Sequence, residues 1–200
     1  MTEFELLVDL HKDRERQGPG CLQDTLRALE LLQLPKDQEL RVADLGCGTG
    51  GPTIALAQQL RGHITGVDLF PEFLKTLETR AAATSCQAKV DTLEASIEEL
   101  PFERESFDLL WSEGAVYNIG FERGIELWRP LLKPGGYLAI TELTWTTQSR
   151  PAEVEAYWNA QYPEVATAAV KMGQLEQHGF TTVGYFNLGS ASWTEHYYGP

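Results

Sequence analysis

Between Val42 and Gly51 the chain reads VADLGCGTGG, an apolar run carrying Asp44 and followed by Gly46, Gly48, Gly50 and Gly51, with Pro52 next. Glycines at this density supply positive φ and let backbone N–H groups approach a ligand that a Cβ would hold away. A strand, a glycine turn and a helix start in this order form a nucleotide-binding elbow. The spacing Gly46-x-Gly48-x-x-Gly51 also satisfies the dinucleotide fingerprint, so the glycines alone leave the cofactor open. A second acidic residue, Asp68, stands 22 positions beyond Gly46, at the end of another apolar run.

Other reactive residue types point away from metal and thiol chemistry. His11, His63, His178 and His196 fall at no metal-ligand spacing, so no metal is expected. Cys21, Cys47 and Cys86 are far apart and form no CxxC, which suits a reducing cytoplasm better than a disulfide framework. Cys47 reads as a small residue between glycines rather than a nucleophile. Lys and Arg total 16 against 29 Asp and Glu, a formal charge of −13 without a compensating basic run. That balance opposes a nucleic-acid partner. No apolar run approaches the ~18 residues of a membrane span, and the first residues, MTEFELLVDLHKDRER, lack the pattern of a secretory signal.

The elements that must position these residues follow from hydrophobic periodicity. Phe4, Leu7, Val8 and His11 predict a helix ended by Gln17-Gly18-Pro19-Gly20, and Leu22–Leu32 an amphipathic helix before Pro35. Leu40–Leu45 is strand one, Pro52–Leu60 its helix, and Ile64–Val67 strand two, ending at Asp68. A helical stripe (Phe73, Leu74, Leu77, Ala81) precedes a weak third strand, Lys89–Ala95. Phe107–Ser112 is a nearly continuous apolar run, as expected of a strand buried on both faces. Ile125, Leu127, Trp128 and Leu131 mark a helix stopped by Pro134-Gly135-Gly136, and Tyr137–Leu143 is strand five. Beyond a polar stretch with Trp145, Tyr157, Trp158 and Tyr162, a helix is expected over about 165–177, with His178-Gly179 as its basic last turn and stop, then a sixth strand, Phe180–Leu188. The alternation predicts one α/β domain over 1–200, a doubly wound, mostly parallel sheet with helices on both faces. Ligands in such sheets bind outside the carboxyl ends of the strands. Here those ends are 44–50, 68–69, 95–97, 112–114 and 142 onward.

DLGCGTG, then GVDL, IEELPF (97–102), FDLLWSEGA (107–115) and LKPGGYLAITE (132–142) resemble, in order and spacing, the class I S-adenosylmethionine-dependent methyltransferases over roughly residues 17–190. QGPG at 17–20 and EGAVYNIGFERG at 113–124 resemble more narrowly a bacterial group likened to the ubiquinone and menaquinone C-methyltransferases. The resemblance implies S-adenosylmethionine as cofactor, S-adenosylhomocysteine as product, and a small-molecule acceptor. It implies that Gly46, Cys47 and Gly48 pass the methionine part, with Asp44 at its amino-acid end and Gln17 in the segment that closes over it. Asp68 would take the two ribose hydroxyls, Leu69 and Ile97 would sandwich the adenine, and Ser96 would sit near its edge. Glu113 ends strand four beside the reacting methyl, so Glu113, Tyr117 and Asn118 face the acceptor, with Glu113 or His11 available to take a proton.

Structural readings stand beside these. Asp68 also suits a helix cap, Glu113 an ion pair on a turn, and Trp145, Trp158, Tyr162 and Trp193 either core or the wall of an acceptor cavity. Residues 1–34 are expected to cover the cofactor, 35–143 to form its core, and 144–200 to supply the acceptor side. The family's sheet usually has seven strands, whereas this chain ends about a dozen residues after Leu188. A missing last strand is therefore expected, leaving an edge for a further segment or a second copy to pair. A nicotinamide-dependent oxidoreductase and a non-catalytic S-adenosylmethionine-binding protein remain as alternative readings.

Overall fold

The computed structural model describes residues 3–35, 37–87 and 89–199. Five strands, β1 (Leu40–Leu45), β2 (Gly62–Asp68), β3 (Val90–Glu94), β4 (Phe107–Ser112) and β5 (Leu132–Ile140), form one sheet of order β3-β2-β1-β4-β5. Every pairing is parallel. The chain order reverses between β1 and β4, which fixes the crevice where the glycine turn opens.

Alternation along β1 separates two cores. Val42 points with Ile64, Leu109 and Trp111 toward a layer containing Leu32 of α2 (Leu22–Leu32), Leu56 of α3 (Gly51–Gln59), and Leu74, Leu77 and Ala81 of α4 (Pro71–Ala83). Ala43 and Leu45 point the other way, with Val67 and Leu110, toward Phe121, Ile125 and Trp128 of α5 (Phe121–Trp128). Pro52 and Pro71 stand in the first turns of α3 and α4, where a missing N–H costs nothing. Trp128 is fully buried, and its indole N–H donates to the Ile97 carbonyl at 2.8 Å. Trp128→Phe is expected to destabilise the chain by about 1–3 kcal/mol, because it strips that carbonyl of its donor. A lowered urea midpoint with an unchanged m-value would register the loss.

The strands of the first half lie where periodicity puts them, and those of the second half differ. β5 begins at Leu132, not Tyr137, and runs through Pro134-Gly135-Gly136. Leu132 pairs with Phe107 and Tyr137 with Leu109, so the Pro-Gly-Gly residues form a bulge within the strand rather than the stop of the preceding helix. Proline is tolerated there because β5 is an edge strand and a bulge needs no ladder N–H. The strand then ends at Ile140, before the expected Leu143.

Residues 144–145 (β6) and 166–167 (β7) form a separate two-stranded ladder. Between them lies α6 (Ala152–Gln161), a helix that the sequence did not signal, and after them α7 (Ala168–Gln177), which starts three residues later than expected. The expected sixth strand at 180–188 does not form. That segment packs against α2 instead: Arg27 stacks on the Phe186 ring at 4.3 Å, and Gly184 lies beside the Leu31 side chain. No strand among the described residues pairs the outer edge of β5. A short helix, α8 (Ser190–Thr194), returns to the amino-terminal segment, where the Gly20 N–H donates to the Ser192 carbonyl and Ser192 Oγ to Asp24. The expected helix near the amino terminus is α1 (Glu3–His11), which stops at His11 rather than at the expected Gln17-Gly18-Pro19-Gly20, residues 12–15 being turn and bend; the Phe4 and Leu7 side chains lie outside the described residues.

Candidate functional site

The glycine turn joins β1 to α3 at the carboxyl end of the sheet. Gly46 and Gly48 have φ of 73° and 54°. A Cβ on Gly46 would stand 2.3 Å from the Ala115 Cβ, and one on Gly48 would strike the Gln17 side chain. Gly46 therefore needs glycine for backbone conformation and for close approach, and Gly48 for its backbone conformation. The amides of Gly46 and Cys47 donate to the Val67 carbonyl, while the Gly48 amide donates to Asp68 Oδ2 at 2.8 Å. Cys47 is buried, and burial first, then the charges of Asp44 and Asp68, push its thiol well up. This agrees with an inert small residue in the turn.

Two carboxylates sit under and beside the turn. Asp44 is fully enclosed; its Oδ2 accepts from Thr53 Oγ1 at 2.6 Å, and its Oδ1 has no partner among the described residues. Burial raises its pKa to about 7, with the Thr53 hydrogen bond opposing, the Glu113 charge adding and Arg16 opposing. Asp68, at the end of β2, is buried and raised by desolvation. Its Oδ1 accepts from the Phe70 amide at 3.0 Å, so it does secure the start of α4 while its other oxygen holds Gly48. The Ala95 amide donates to the Asp68 carbonyl, which sets the ends of β2 and β3 side by side. Leu69 there is largely exposed; Ile97 packs on the α5 core, and Ser96 Oγ accepts from the Glu98 amide.

Over the turn lies the amino-terminal segment. Gln17 Oε1 accepts from the Thr49 amide at 3.0 Å, and its Nε2 donates to Thr49 Oγ1 and the His11 carbonyl. Arg80 of α4 reaches the carbonyls of Arg14, Glu15 and Thr49, clasping segment and turn together. Glu113 accepts from Arg16, from Thr25 Oγ1 at 2.7 Å and from the Trp111 indole at 2.9 Å. Its carboxylate is thus an ion-pair partner, in a buried setting rather than on a solvated turn. Arg16, Thr25 and Arg80 carried no signal in the sequence, because each acts across a long separation. Their role emerges only once β4 and α4 place Glu113 and Arg80 beside the segment.

Beside β5 opens a cavity of about 1140 Å³, bounded also by α2, α7 and residues 180–188. Gln17, Glu113 and Tyr117 line it, as do Trp158, Tyr162 and Trp193. Asp44, Cys47, Asp68, Leu69, Ser96, Ile97, Asn118 and His11 do not. Asn118 is turned back onto the Ala115 carbonyl. His11 stacks parallel to Tyr197 at 6.5 Å, and burial, then Arg14, lowers its pKa, so it is neutral near pH 7. Trp145 lies under Arg150 at 4.3 Å, outside the lining. No group of three or more metal-ligating side chains occurs among the described residues.

The turn thus presents a cradle only glycine permits, a buried carboxylate with a free oxygen, and a second carboxylate at the next strand end. These acceptors fit a ligand with a cationic group and vicinal hydroxyls, and the cavity lies on the other side of Gln17 and Glu113, which line it.

Comparison with known proteins agrees with this geometry. Residues 42–136 match the family described as a methyltransferase domain. The chain is 26% identical to phosphoethanolamine N-methyltransferase 1 of Arabidopsis thaliana over 82% of its own length and 33% of that protein. It is 32% identical to the malonyl-[acyl-carrier protein] O-methyltransferase of Enterobacter lignolyticus over 75% of its length and 53% of that protein. It therefore spans a third to about half of these relatives. YjhP of Escherichia coli has the same fold, with a TM-score of 0.84 at 20% identity over 96% of this chain and 78% of that one. A methyltransferase of Geobacter sulfurreducens solved with S-adenosyl-L-homocysteine gives 0.80 at 19% identity over 96% and 76%. The glycine turn and the acidic strand ends, Asp44 and Asp68, all lie within residues 42–136, the stretch of this chain that is similar to the methyltransferase-domain family.

Proposed function

We propose that the chain binds S-adenosylmethionine across the glycine turn and transfers its methyl group to a small-molecule acceptor held in the cavity beside β5. The observation that carries this reading is the Asp44 oxygen left without a partner beneath the turn, because a buried carboxylate raised to about pH 7 gains most from a cationic ligand. When bound, the cofactor supplies a methyl group already activated by its sulfonium. What remains for the protein is orientation and exclusion of water, together worth up to ~7–11 kcal/mol in well-oriented systems.

Asp44 supplies a counter-charge to the amino-acid end. Asp68 offers its carboxylate to the ribose hydroxyls, with Leu69, Ser96 and Ile97 around the base. Gln17 and Arg80 hold the amino-terminal segment over the turn, and Tyr117 lines the acceptor side. Glu113 serves by fixing Arg16 and the segment, since its oxygens already meet three donors. His11 stands behind Tyr197 and acts through that ring. On this reading 1–34 cover the cofactor, 35–143 hold it and 144–200 form the acceptor side of one domain. No helix among the described residues is long and apolar enough to cross a membrane. A cytoplasmic enzyme without a nucleic-acid partner fits the charge of −13 and three free thiols. A homodimer through the outer edge of β5 completes the reading, and sedimentation velocity tests it.

Calorimetric titration with S-adenosylmethionine and S-adenosylhomocysteine tests the cofactor. Saturable binding that Asp68→Ala weakens at least about tenfold is expected, the loss of one charge-assisted hydrogen bond. Binding of NAD(H) instead would turn the assignment to an oxidoreductase.

A further inference from the structure

In the wall of the cavity is a polar cluster that the cofactor reading leaves unused. Glu142 follows the end of β5, Lys171 projects from α7, and Tyr162 follows α6. Glu142 Oε1 takes both the Lys171 ammonium at 2.9 Å and the Tyr162 hydroxyl at 2.7 Å. The Lys171 and Glu142 side chains are only 4% and 6% exposed, and the ammonium lies 4.4 Å from the Phe121 ring centre. Glu142 Oε2 is shielded from solvent and has no hydrogen-bond partner among the described residues. All three residues line the cavity.

Position connects this cluster to the chemistry. Gly114 N–H donates to Thr141 Oγ1 at 2.6 Å, so Glu142 stands next to the end of β4. Gly46 in turn packs against Ala115. Glycine turn, β4 end and β5 end are therefore contiguous.

We propose that Glu142, Lys171 and Tyr162 form the acceptor-anchoring centre, and that the acceptor is a bulky, mostly apolar molecule whose neutral hydroxyl donates to Glu142 Oε2. The proposal rests on the methyl-transfer reading of this site and supplies its substrate class. A buried ion pair serves structure alone when every lone pair is met; here one carboxylate oxygen, shielded from solvent, is left over on a residue that lines a cavity. A donor, not an acceptor, must fill that position. The charge decides which donor. Lys171 already neutralises Glu142, and the next carboxylate, Glu164, is committed to the amides of Phe121 and Glu122 at the start of α5. An ammonium ligand would meet Lys171 without a free counter-charge, whereas a hydroxyl meets no such penalty. The rest of the wall, including Tyr117, Trp158, Leu175, Phe180 and Tyr185, suits an apolar body.

Three probes on one scaffold test this by calorimetry, with and without S-adenosylhomocysteine: 2-naphthol, 2-methoxynaphthalene and 2-naphthylmethylammonium. The naphthol is expected to bind about tenfold more tightly than either of the others. In Glu142→Gln the amide carbonyl stays with Lys171 and Tyr162 and its NH₂ takes the place of Oε2, so the methoxy compound binds at least as well as the naphthol. Equal binding of naphthol and methoxynaphthalene by the unaltered chain, preference for the ammonium, or an unchanged preference in a folded Glu142→Gln variant would overturn the proposal. The comparison on the unaltered chain decides even if the variant fails to fold. Because the probes are also titrated without cofactor, failure of S-adenosylhomocysteine to bind counts separately, against the cofactor reading.

Discussion

Asp44→Asn is expected to weaken S-adenosylhomocysteine binding about 100-fold and, at pH 8, to make the unliganded protein more stable. The two effects share one cause. Asp44 is enclosed, accepts one hydrogen bond from Thr53 and leaves its other oxygen unmet. Removing one member of a buried charge–charge contact costs about 2–5 kcal/mol of binding, and 100-fold is about 2.7 kcal/mol. Without ligand the same charge is a burden, and asparagine carries none. A variant that loses stability and keeps its affinity would show that Asp44 is only a structural partner of Thr53.

The sign of the pH dependence follows from the same group. Burial raises the folded-state pKa from 3.8 to about 7. Between these values the folded chain holds more protons than the unfolded chain, so the contribution of Asp44 makes stability fall as pH rises from about 4 to 7, and leaves it level above. The whole span is about 4 kcal/mol. A bound cation lowers the Asp44 pKa, so binding below pH 7 releases a proton and affinity drops toward tenfold per unit of pH. Calorimetry at pH 6 in buffers of different ionisation enthalpy reads that proton, and Asp44→Asn removes its share.

How far the sequence spoke depended on whether neighbours in sequence or neighbours in space set each feature. β1 and β4 stand over 40–45 and 107–112 as expected, because strands buried on both faces are continuous apolar runs that periodicity cannot miss. Asp44 and Asp68 were legible for a related reason, since each sits at a fixed offset from such a run. β5 was misplaced because Pro134-Gly135-Gly136 breaks a helix and also forms a bulge on an edge strand; only the partner strand selects between the two. α6 gave no stripe because none of its side chains is buried. Residues 180–188 alternate like a strand, yet their side chains meet α2 and no ladder closes on them. Glu142 and Lys171 are 29 positions apart. Nothing local announces that pair.

The Arg16–Glu113 pair, 97 positions apart, carries the largest expected loss of stability. Both side chains are 9% exposed. Glu113→Ala leaves the Arg16 guanidinium, Thr25 Oγ1 and the Trp111 indole without their shared acceptor, and is expected to cost about 3–5 kcal/mol. The double variant Arg16→Met/Glu113→Leu removes charge from both sides and is expected to recover most of that loss, because two desolvated charges are replaced by apolar volume. Function separates the two proteins in another way. Arg16 is next to Gln17, which rests on Gly48 and Thr49, so releasing Arg16 frees the segment over the turn. The recovered double variant should therefore unfold at nearly the normal urea concentration while binding S-adenosylhomocysteine more weakly, and trypsin should cut it sooner after Arg14. Normal affinity in that variant would show that Gln17 and Arg80 hold the segment without Glu113, and that the ion pair belongs to stability alone.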